Sequence, residues 1–174
     1  MKTILILRHA KSDWGNPDLA DFDRPLAKRG LKDAPLMGEL LALFDCVPDR
    51  ILSSPAERAK QTVKLVASAC GYQKSIQWEP DFYGGGSEEL IAALQRLPAT
   101  IERVMLVGHN PTLEEAVAQL LGAAESEWEN GLLLRLPTAG LACLEVELVD
   151  WAELEPGEAT LRWFVTPKLV KAIT

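Results

Sequence analysis

The chain has 174 residues, of which 48% are hydrophobic and 25% charged, and its formal net charge at pH 7 is −7. These values are ordinary for a soluble globular protein, and the net negative charge argues against nucleic-acid binding, which depends on cationic contacts to phosphates. No apolar run reaches the roughly 20 residues of a membrane-spanning helix. Met1 and Lys2 lead directly into a strand pattern without the features of a signal peptide. We therefore predict a cytoplasmic protein with one domain, residues 1–174, that binds neither nucleic acid nor membrane.

The supply of cysteine and histidine limits the chemistry that the chain can perform. Cys46, Cys70 and Cys143 are an odd number, widely spaced and set among apolar residues, which favours reduced core thiols over disulfides. Only two histidines are present, so a histidine-rich metal site is out of reach. We expect an activity that needs no metal and no other cofactor.

Apolar, β-branched segments predict strands at residues 4–7, 51–52 and 104–107. Segments with helical periodicity lie between and after them. Because strands and helices alternate, we predict an α/β protein with three layers, α/β/α, around a mainly parallel sheet. Two strand-like segments near the end, 141–149 and 159–165, predict an antiparallel pair added to that sheet.

Capping signals predict where the helices begin and end. Residues 26–44 have a helical pattern in which Pro35 should cause a kink or a restart. A second helix should begin with Ser54 as its cap, with Glu57 completing a capping box, and should stop near Gly71. Ser87 should open a shorter helix that Pro98 closes.

A further helix should follow the strand at 104–107. Asn110 is its predicted cap, Pro111 suits the first helical position, and Gly122 is its predicted stop.

Cationic and basic side chains follow the three predicted strands. Arg8 and His9 come directly after the first strand, Arg58 lies in the first turn of the helix after the second, and His109 follows the third. The carboxyl ends of parallel strands border the ligand crevice of an open sheet. Each signal alone fits a surface pair, a capped turn or a solvated helix residue, but together they use the entire histidine supply of the chain. The two helix amino termini nearby add N–H groups and positive dipole ends, so the pattern predicts a phosphate site.

The segments "LRHAKS", "SSPAERAKQT" and "VGHNP" occur in an order that resembles the histidine phosphatase superfamily, which has the phosphoglycerate mutase-like fold. The resemblance extends from residue 4 to about residue 113. The alanine after His9, the Lys-Ser that follows it, the segment "DRPLAKRG" and the short chain resemble the SixA-type phosphohistidine phosphatases of that superfamily in particular.

The resemblance implies that His9 attacks phosphorus and becomes a covalent phosphohistidine. Imidazole is nucleophilic while it is neutral, and neighbouring cations disfavour its protonated form. The resemblance also implies that Arg8 and Arg58 bind the phosphoryl oxygens and that His109 stabilises charge in the transition state.

We predict further contacts with the substrate from Lys11, Ser12 and Asn110. Glu79 and Asp81 are the mid-chain carboxylates that could act as a weak general acid, although solvated loop acids are the simpler interpretation. A scarcity of acid favours a phosphorylated imidazole as the substrate group, because imidazole leaves more readily than an alcohol.

The sequence thus predicts a metal-independent phosphatase that hydrolyses phosphohistidine on a protein, such as a phosphotransfer domain. Two alternatives stay open. One is a phosphomonoesterase of the same superfamily that acts on a small phosphorylated substrate, and the other is a phosphate-binding module without catalytic activity.

Overall fold

In the computed structural model, which describes residues 1–122 and 135–173, a six-stranded sheet lies between two layers of helices. The strands are β1 Lys2–Arg8, β2 Arg50–Ser53, β3 Gln77–Trp78, β4 Arg103–Gly108, β5 Leu141–Val146 and β6 Thr160–Val165. The helices are α1 Lys28–Leu43, α2 Glu57–Cys70, α3 Asp81–Gly84, α4 Ser87–Gln95, α5 Thr112–Leu121 and α6 Pro167–Ile173. Short 3₁₀ turns lie at Asp21–Asp23 and Trp151–Glu153. The strand β3 and the helices α3 and α6 were not predicted from the sequence.

The strands follow the order β3-β2-β4-β1-β5-β6 across the sheet. Strands β3, β2, β4 and β1 are mutually parallel, whereas β5 is antiparallel to both β1 and β6. The predicted α/β class, the mainly parallel sheet and the antiparallel C-terminal pair are therefore confirmed.

The prediction of one domain over 1–174 includes residues outside the described ranges and stays a prediction. None of the described helices has both the length and the apolarity to cross a bilayer.

The central strand β1 is continuously apolar because both of its faces are covered. Ile4 and Ile6 pack in a core shared with α4 and α5, while Leu5 and Leu7 pack in a second core shared with α1 and α2. Successive side chains of a strand point to opposite faces, so a sheet covered on both sides needs apolar residues at every position. Burying each such side chain contributes roughly 1.5–3 kcal/mol.

The first helix differs from its prediction. Pro35 lies inside α1, which continues as one helix from Lys28 to Leu43, so the helix does not restart there, and the alternative of a kink stays a prediction. Proline lacks the N–H that would bond the carbonyl of Leu31. Leu31 is exposed, and water can satisfy that carbonyl in place of the missing donor.

Two predicted helix starts are also wrong. Helix α2 begins at Glu57 rather than directly after Ser54, and helix α5 begins at Thr112 rather than at Pro111. Neither helix has a side-chain cap at its first turn, and the hydrogen bonds of Ser54 and Asn110 are described below.

The two helix ends are confirmed. Gly71 and Gly122 end their helices in the left-handed conformation, with φ of 78° and 69°.

The start of α1 packs closely against the loop that follows β1. The amide of Ala27 donates to the carbonyl of Lys11 at 2.8 Å, and a Cβ atom at Gly30 would overlap the same carbonyl oxygen. Only glycine permits this approach, which holds the loop at residues 10–12 against the helix.

Gly30→Ala should destabilise the protein by about 1–3 kcal/mol, the usual cost of overpacking, as measured by urea denaturation. Gly84→Ala is the matched control, because nothing lies within 4 Å of a Cβ atom there. Both changes reduce the conformational freedom of the unfolded chain, so their difference isolates the overlap with Lys11. Equal stability of the two variants would contradict this account.

Candidate active site

The four residues predicted to bind phosphate lie together at the carboxyl edge of the parallel strands. Arg8 ends β1 and pairs in register with Gly108 at the end of β4. The amide of His9 donates to the carbonyl of Gly108 at 3.1 Å, and the centroids of the His9 and His109 rings are 5.0 Å apart. Arg58, the second residue of α2, places Nε 3.4 Å from Nε2 of His9. The parallel pairing of β1 with β4 brings the two histidines together.

One ring nitrogen of His9 carries a lone pair in place of a proton. The side chain is 7% exposed, and Nδ1 lies 2.8 Å from the carbonyl oxygen of Ala10. A carbonyl oxygen only accepts hydrogen bonds, so Nδ1 carries the proton of the neutral ring. The lone pair is then on Nε2, which accepts a hydrogen bond from Nε of Arg58 at 3.4 Å.

Both histidines are held neutral at physiological pH. Burial, followed by the charges of His109, Arg58 and Arg8, lowers the pKa of His9 to about 3, although the hydrogen bond to Ala10 opposes the shift. Burial and the charge of Arg58 lower the pKa of His109 to about 4. An imidazole that stays neutral keeps its lone pair for attack on phosphorus.

The tautomer of His109 depends on Ser54. The hydroxyl of Ser54 accepts a hydrogen bond from the amide of Ala56 at 3.3 Å and lies 2.7 Å from Nε2 of His109. When the Ser54 hydroxyl donates its hydrogen to Nε2, the proton of the neutral His109 ring lies on Nδ1. Sequence reasoning identified Ser54 only as a helix cap.

Two buried donors of this site have no protein partner among the described residues. They are Nε of Arg8 and Nδ1 of His109. Buried donors without a partner cost free energy, and both would be satisfied by an anion in the pocket. NH1 of Arg8 donates to the carbonyl of Leu136 at 2.8 Å.

An acidic residue that the sequence analysis missed binds Arg58. NH1 of Arg58 donates to the main-chain oxygen of Asp21 at 2.6 Å, and NH2 donates to Oδ2 of Asp21 at 3.0 Å. Arg24 donates to the other carboxylate oxygen, and the hydroxyl of Tyr83 donates to Oδ2 at 3.1 Å. These contacts, the one with Arg24 most, lower the pKa of Asp21 to about 2.

Arg24 links this acid to the loop after β1. Its NH1 donates to Oγ of Ser12 at 2.8 Å, and its guanidinium lies 3.5 Å from the centroid of the Trp14 ring. The segment "DRPLAKRG" contains Arg24, but the spacing of Asp21 and Arg24 is common and gave no signal of a site. Only the folded loop brings the pair to Arg58.

The outer residues predicted to contact the substrate have different surroundings. Lys11 is exposed, whereas Ser12 is buried and its hydroxyl holds Arg24. Nδ2 of Asn110 donates to Glu114 and to the carbonyl of Leu136, so both of its hydrogens are used within the protein. A role in substrate binding stays a prediction for all three.

The two candidate general acids lie apart from this network. The carboxylate of Glu79 accepts from Gln77, and Asp81 is exposed at the start of α3. Within residues 1–122 and 135–173, neither forms a hydrogen bond or an ion pair with the four phosphate-site residues. In the same ranges no group of three or more His, Cys, Asp or Glu side chains could hold a metal ion.

The histidine environments predict a specific pH dependence. As the pH falls from about 8 to about 5, neither imidazole should titrate, because the pKa is about 3 for His9 and about 4 for His109. Nitrogen-15 NMR of the two imidazoles should also show the proton of His9 on Nδ1 throughout this range. A midpoint near the ordinary 6.5 for His9 would contradict the burial argument.

Comparison of the sequence and the fold with known proteins identifies the family of this chain. Residues 4–83 match the sequence model of the histidine phosphatase superfamily, branch 1. An uncharacterised protein of Mycobacterium tuberculosis is 34% identical over 166 residues, 93% of this chain and 100% of that protein. Phosphohistidine phosphatase SixA of Escherichia coli is 26% identical over 175 residues, 98% of this chain and 99% of that protein.

A solved structure is similar throughout. The crystal structure of a candidate phosphohistidine phosphatase SixA from Agrobacterium tumefaciens has a TM-score of 0.80 at 32% identity, and the match covers 95% of this chain and 98% of that chain. The present chain therefore belongs to branch 1 of the histidine phosphatase superfamily.

Proposed function

We propose that this protein hydrolyses phosphohistidine on a protein substrate and that His9 carries the phosphoryl group between the two half-reactions. The observation that carries the choice of substrate is the state of Asp21, the carboxylate bonded to Arg58, whose pKa of about 2 leaves it ionised at neutral pH. An ionised carboxylate has no proton to give to a leaving group.

The leaving group determines whether that proton is needed. An alcohol leaves a phosphoester as a strongly basic alkoxide, and a positioned general acid accelerates such steps by roughly 10²–10⁴-fold. An imidazole leaves phosphorus as a much weaker base and needs less help. Because Asp21, the carboxylate bonded to Arg58, is ionised, the described part of the site suits a phosphorylated imidazole better than a sugar phosphate.

The first half-reaction uses the lone pair on Nε2 of His9. Nε2 forms a bond to phosphorus as the bond from phosphorus to the substrate imidazole breaks, and that imidazole takes a proton from water. Arg8 and Arg58 bind the phosphoryl oxygens through their planar guanidinium groups. His109 donates from Nδ1 to the same oxygens and stabilises the charge that develops on them.

The second half-reaction regenerates the enzyme. A water oxygen bonds to phosphorus, the bond from phosphorus to Nε2 of His9 breaks, and inorganic phosphate leaves. Positioning and charge stabilisation supply most of the catalysis in phosphoryl transfer. Resemblance to SixA proteins, over almost the whole chain, supports this assignment.

A substrate panel tests the proposed class. At equal pH, kcat/KM should be at least about 10²-fold higher for a phosphohistidine-bearing phosphotransfer domain than for phosphoserine or p-nitrophenyl phosphate. The reason is that an ester leaving group needs a proton from a general acid, and Asp21 is ionised. Free phosphoramidate separates the contribution of the nitrogen–phosphorus bond from that of protein recognition. Higher kcat/KM for the phosphoesters would instead identify a small-molecule phosphomonoesterase, and turnover of none would identify a binding module.

The two histidines should respond differently to substitution. His9→Ala should abolish both turnover and the acid-labile phosphoenzyme, because it removes the attacking nitrogen. His109→Ala should slow turnover by about 10²–10³-fold, the usual effect of losing one donor to the transition state, while His9 still accepts phosphate. Mass spectrometry of enzyme quenched during turnover distinguishes the two variants. Phosphate on His109, or undiminished turnover by His9→Ala, would show that the nucleophile is assigned wrongly.

A further inference from the structure

Glu114 forms a network beside the phosphate site that the mechanism above does not use. It lies in the first turn of α5, five residues after His109. Its Oε1 accepts two hydrogen bonds, from Nδ2 of Asn110 at 2.8 Å and from the main-chain amide of Leu136 at 2.8 Å. A side chain in a helix thus fixes a main-chain amide in the segment before β5.

The carbonyl of the same residue, Leu136, holds Arg8. It accepts from NH1 of Arg8 at 2.8 Å and from Nδ2 of Asn110 at 2.9 Å. A carbonyl oxygen has two lone pairs, so these two donors saturate it. Both partners of Asn110 are acceptors, so its side-chain amide is oriented with the nitrogen toward Glu114 and Leu136. Hydrogen bonds therefore connect Glu114, Asn110 and Leu136 with one another. The carbonyl of Leu136 connects this network to the guanidinium of Arg8.

The consequence for Arg8 follows from the flexibility of an arginine side chain. A long side chain loses considerable rotamer freedom when it is ordered, and without an anchor its guanidinium would sample several positions. Here NH1 of Arg8 donates one hydrogen to the carbonyl of Leu136. Its Nε is buried and has no protein partner among the described residues. The anchor thus orients the group and leaves donors for an anion.

Charge also connects Glu114 with Arg8. Burial lowers the pKa of Arg8, and the negative charge of Glu114 opposes that shift. Glu114 can act on Arg8 either through the hydrogen-bonded chain or through its charge alone, and an isosteric substitution separates the two.

We propose that Glu114 is a positioning residue for Arg8, acting through the side chain of Asn110 and the main chain of Leu136. It does not touch the reacting atoms. Its effect is to place the Arg8 guanidinium where the phosphoryl oxygens bind, and a misplacement of about 1 Å in such a group can cost about 10²-fold in rate.

Orthovanadate binding measured by calorimetry tests this positioning without depending on which phosphorylated substrate the enzyme prefers. Glu114→Ala should raise the Kd for orthovanadate by about ten-fold or more, because it frees Leu136 and with it Arg8. Glu114→Gln should stay within about three-fold of wild type, because the amide oxygen can still accept both hydrogen bonds. Asn110→Ala, which removes the bridge, should resemble Glu114→Ala.

A spectroscopic readout distinguishes positioning from a loss of stability. The Nε–H resonance of Arg8 in nitrogen-15 NMR should shift or broaden in Glu114→Ala and should be retained in Glu114→Gln, while the Arg58 resonance changes in neither. Glu115→Ala is the matched control, because Glu115 lies in the same helical turn and its side chain forms no hydrogen bond or ion pair within the described residues. Its orthovanadate affinity should equal that of wild type.

Three results would overturn the proposal. The first is an unchanged Kd in Glu114→Ala, even if its melting temperature falls, since that would show a purely structural role. The second is an equal loss in Glu114→Gln and Glu114→Ala, which would assign the effect to charge. The third is an unchanged Arg8 resonance in Glu114→Ala. If Glu114→Ala does not fold, Asn110→Ala and Glu114→Gln still decide the question through the same two measurements.

Discussion

The site depends on keeping an imidazole neutral beside two guanidinium groups in a largely buried pocket. A protonated His9 would place a third positive charge next to Arg8 and Arg58, and burial makes that charge still more costly. The fold therefore holds the ring in its neutral form, and the hydrogen bond from Nδ1 to Ala10 places the lone pair on Nε2. The same cations that favour the nucleophile are suited to bind an anionic phosphoryl group.

Main-chain hydrogen bonds hold the segment around His9 in place. The amide of Ala10 donates to Oγ1 of Thr62, whose hydroxyl donates to the carbonyl of Arg58 at 2.7 Å. On the other side, the amide of Ala139 lies 3.1 Å from the carbonyl oxygens of both Arg8 and His9. The turn between β1 and the following loop is therefore fixed by α2 and by the segment that enters β5. This rigidity places the side chains of Arg8 and His9 more accurately than a free loop would.

Asp21 balances the positive charge of the pocket. It pairs with Arg58 and Arg24, and these pairs keep its own carboxylate ionised. Ion pairs with exposed members contribute little to stability, and the Asp21 side chain is 50% exposed. Its main effects are accordingly electrostatic and geometric. It orients Arg58, and it leaves the pocket without a proton donor at that position.

The sequence by itself determined the α/β class, the positions of five of the six strands, and the two histidines and two arginines that follow the strands. These features are local, because apolar periodicity and the residues next to a strand can be read along the chain. Only the tertiary structure revealed Asp21, Arg24, Ser54 and Glu114 as parts of the site. Each of them acts on a partner distant in sequence, except where Asp21 meets Arg24. Sequence reasoning assigned Ser54 and Asn110 to helix caps, which is a common local use. In the folded chain the hydroxyl of Ser54 lies 2.7 Å from Nε2 of His109, and Nδ2 of Asn110 donates to the carbonyl of Leu136, because only folding brings together residues that are far apart in sequence.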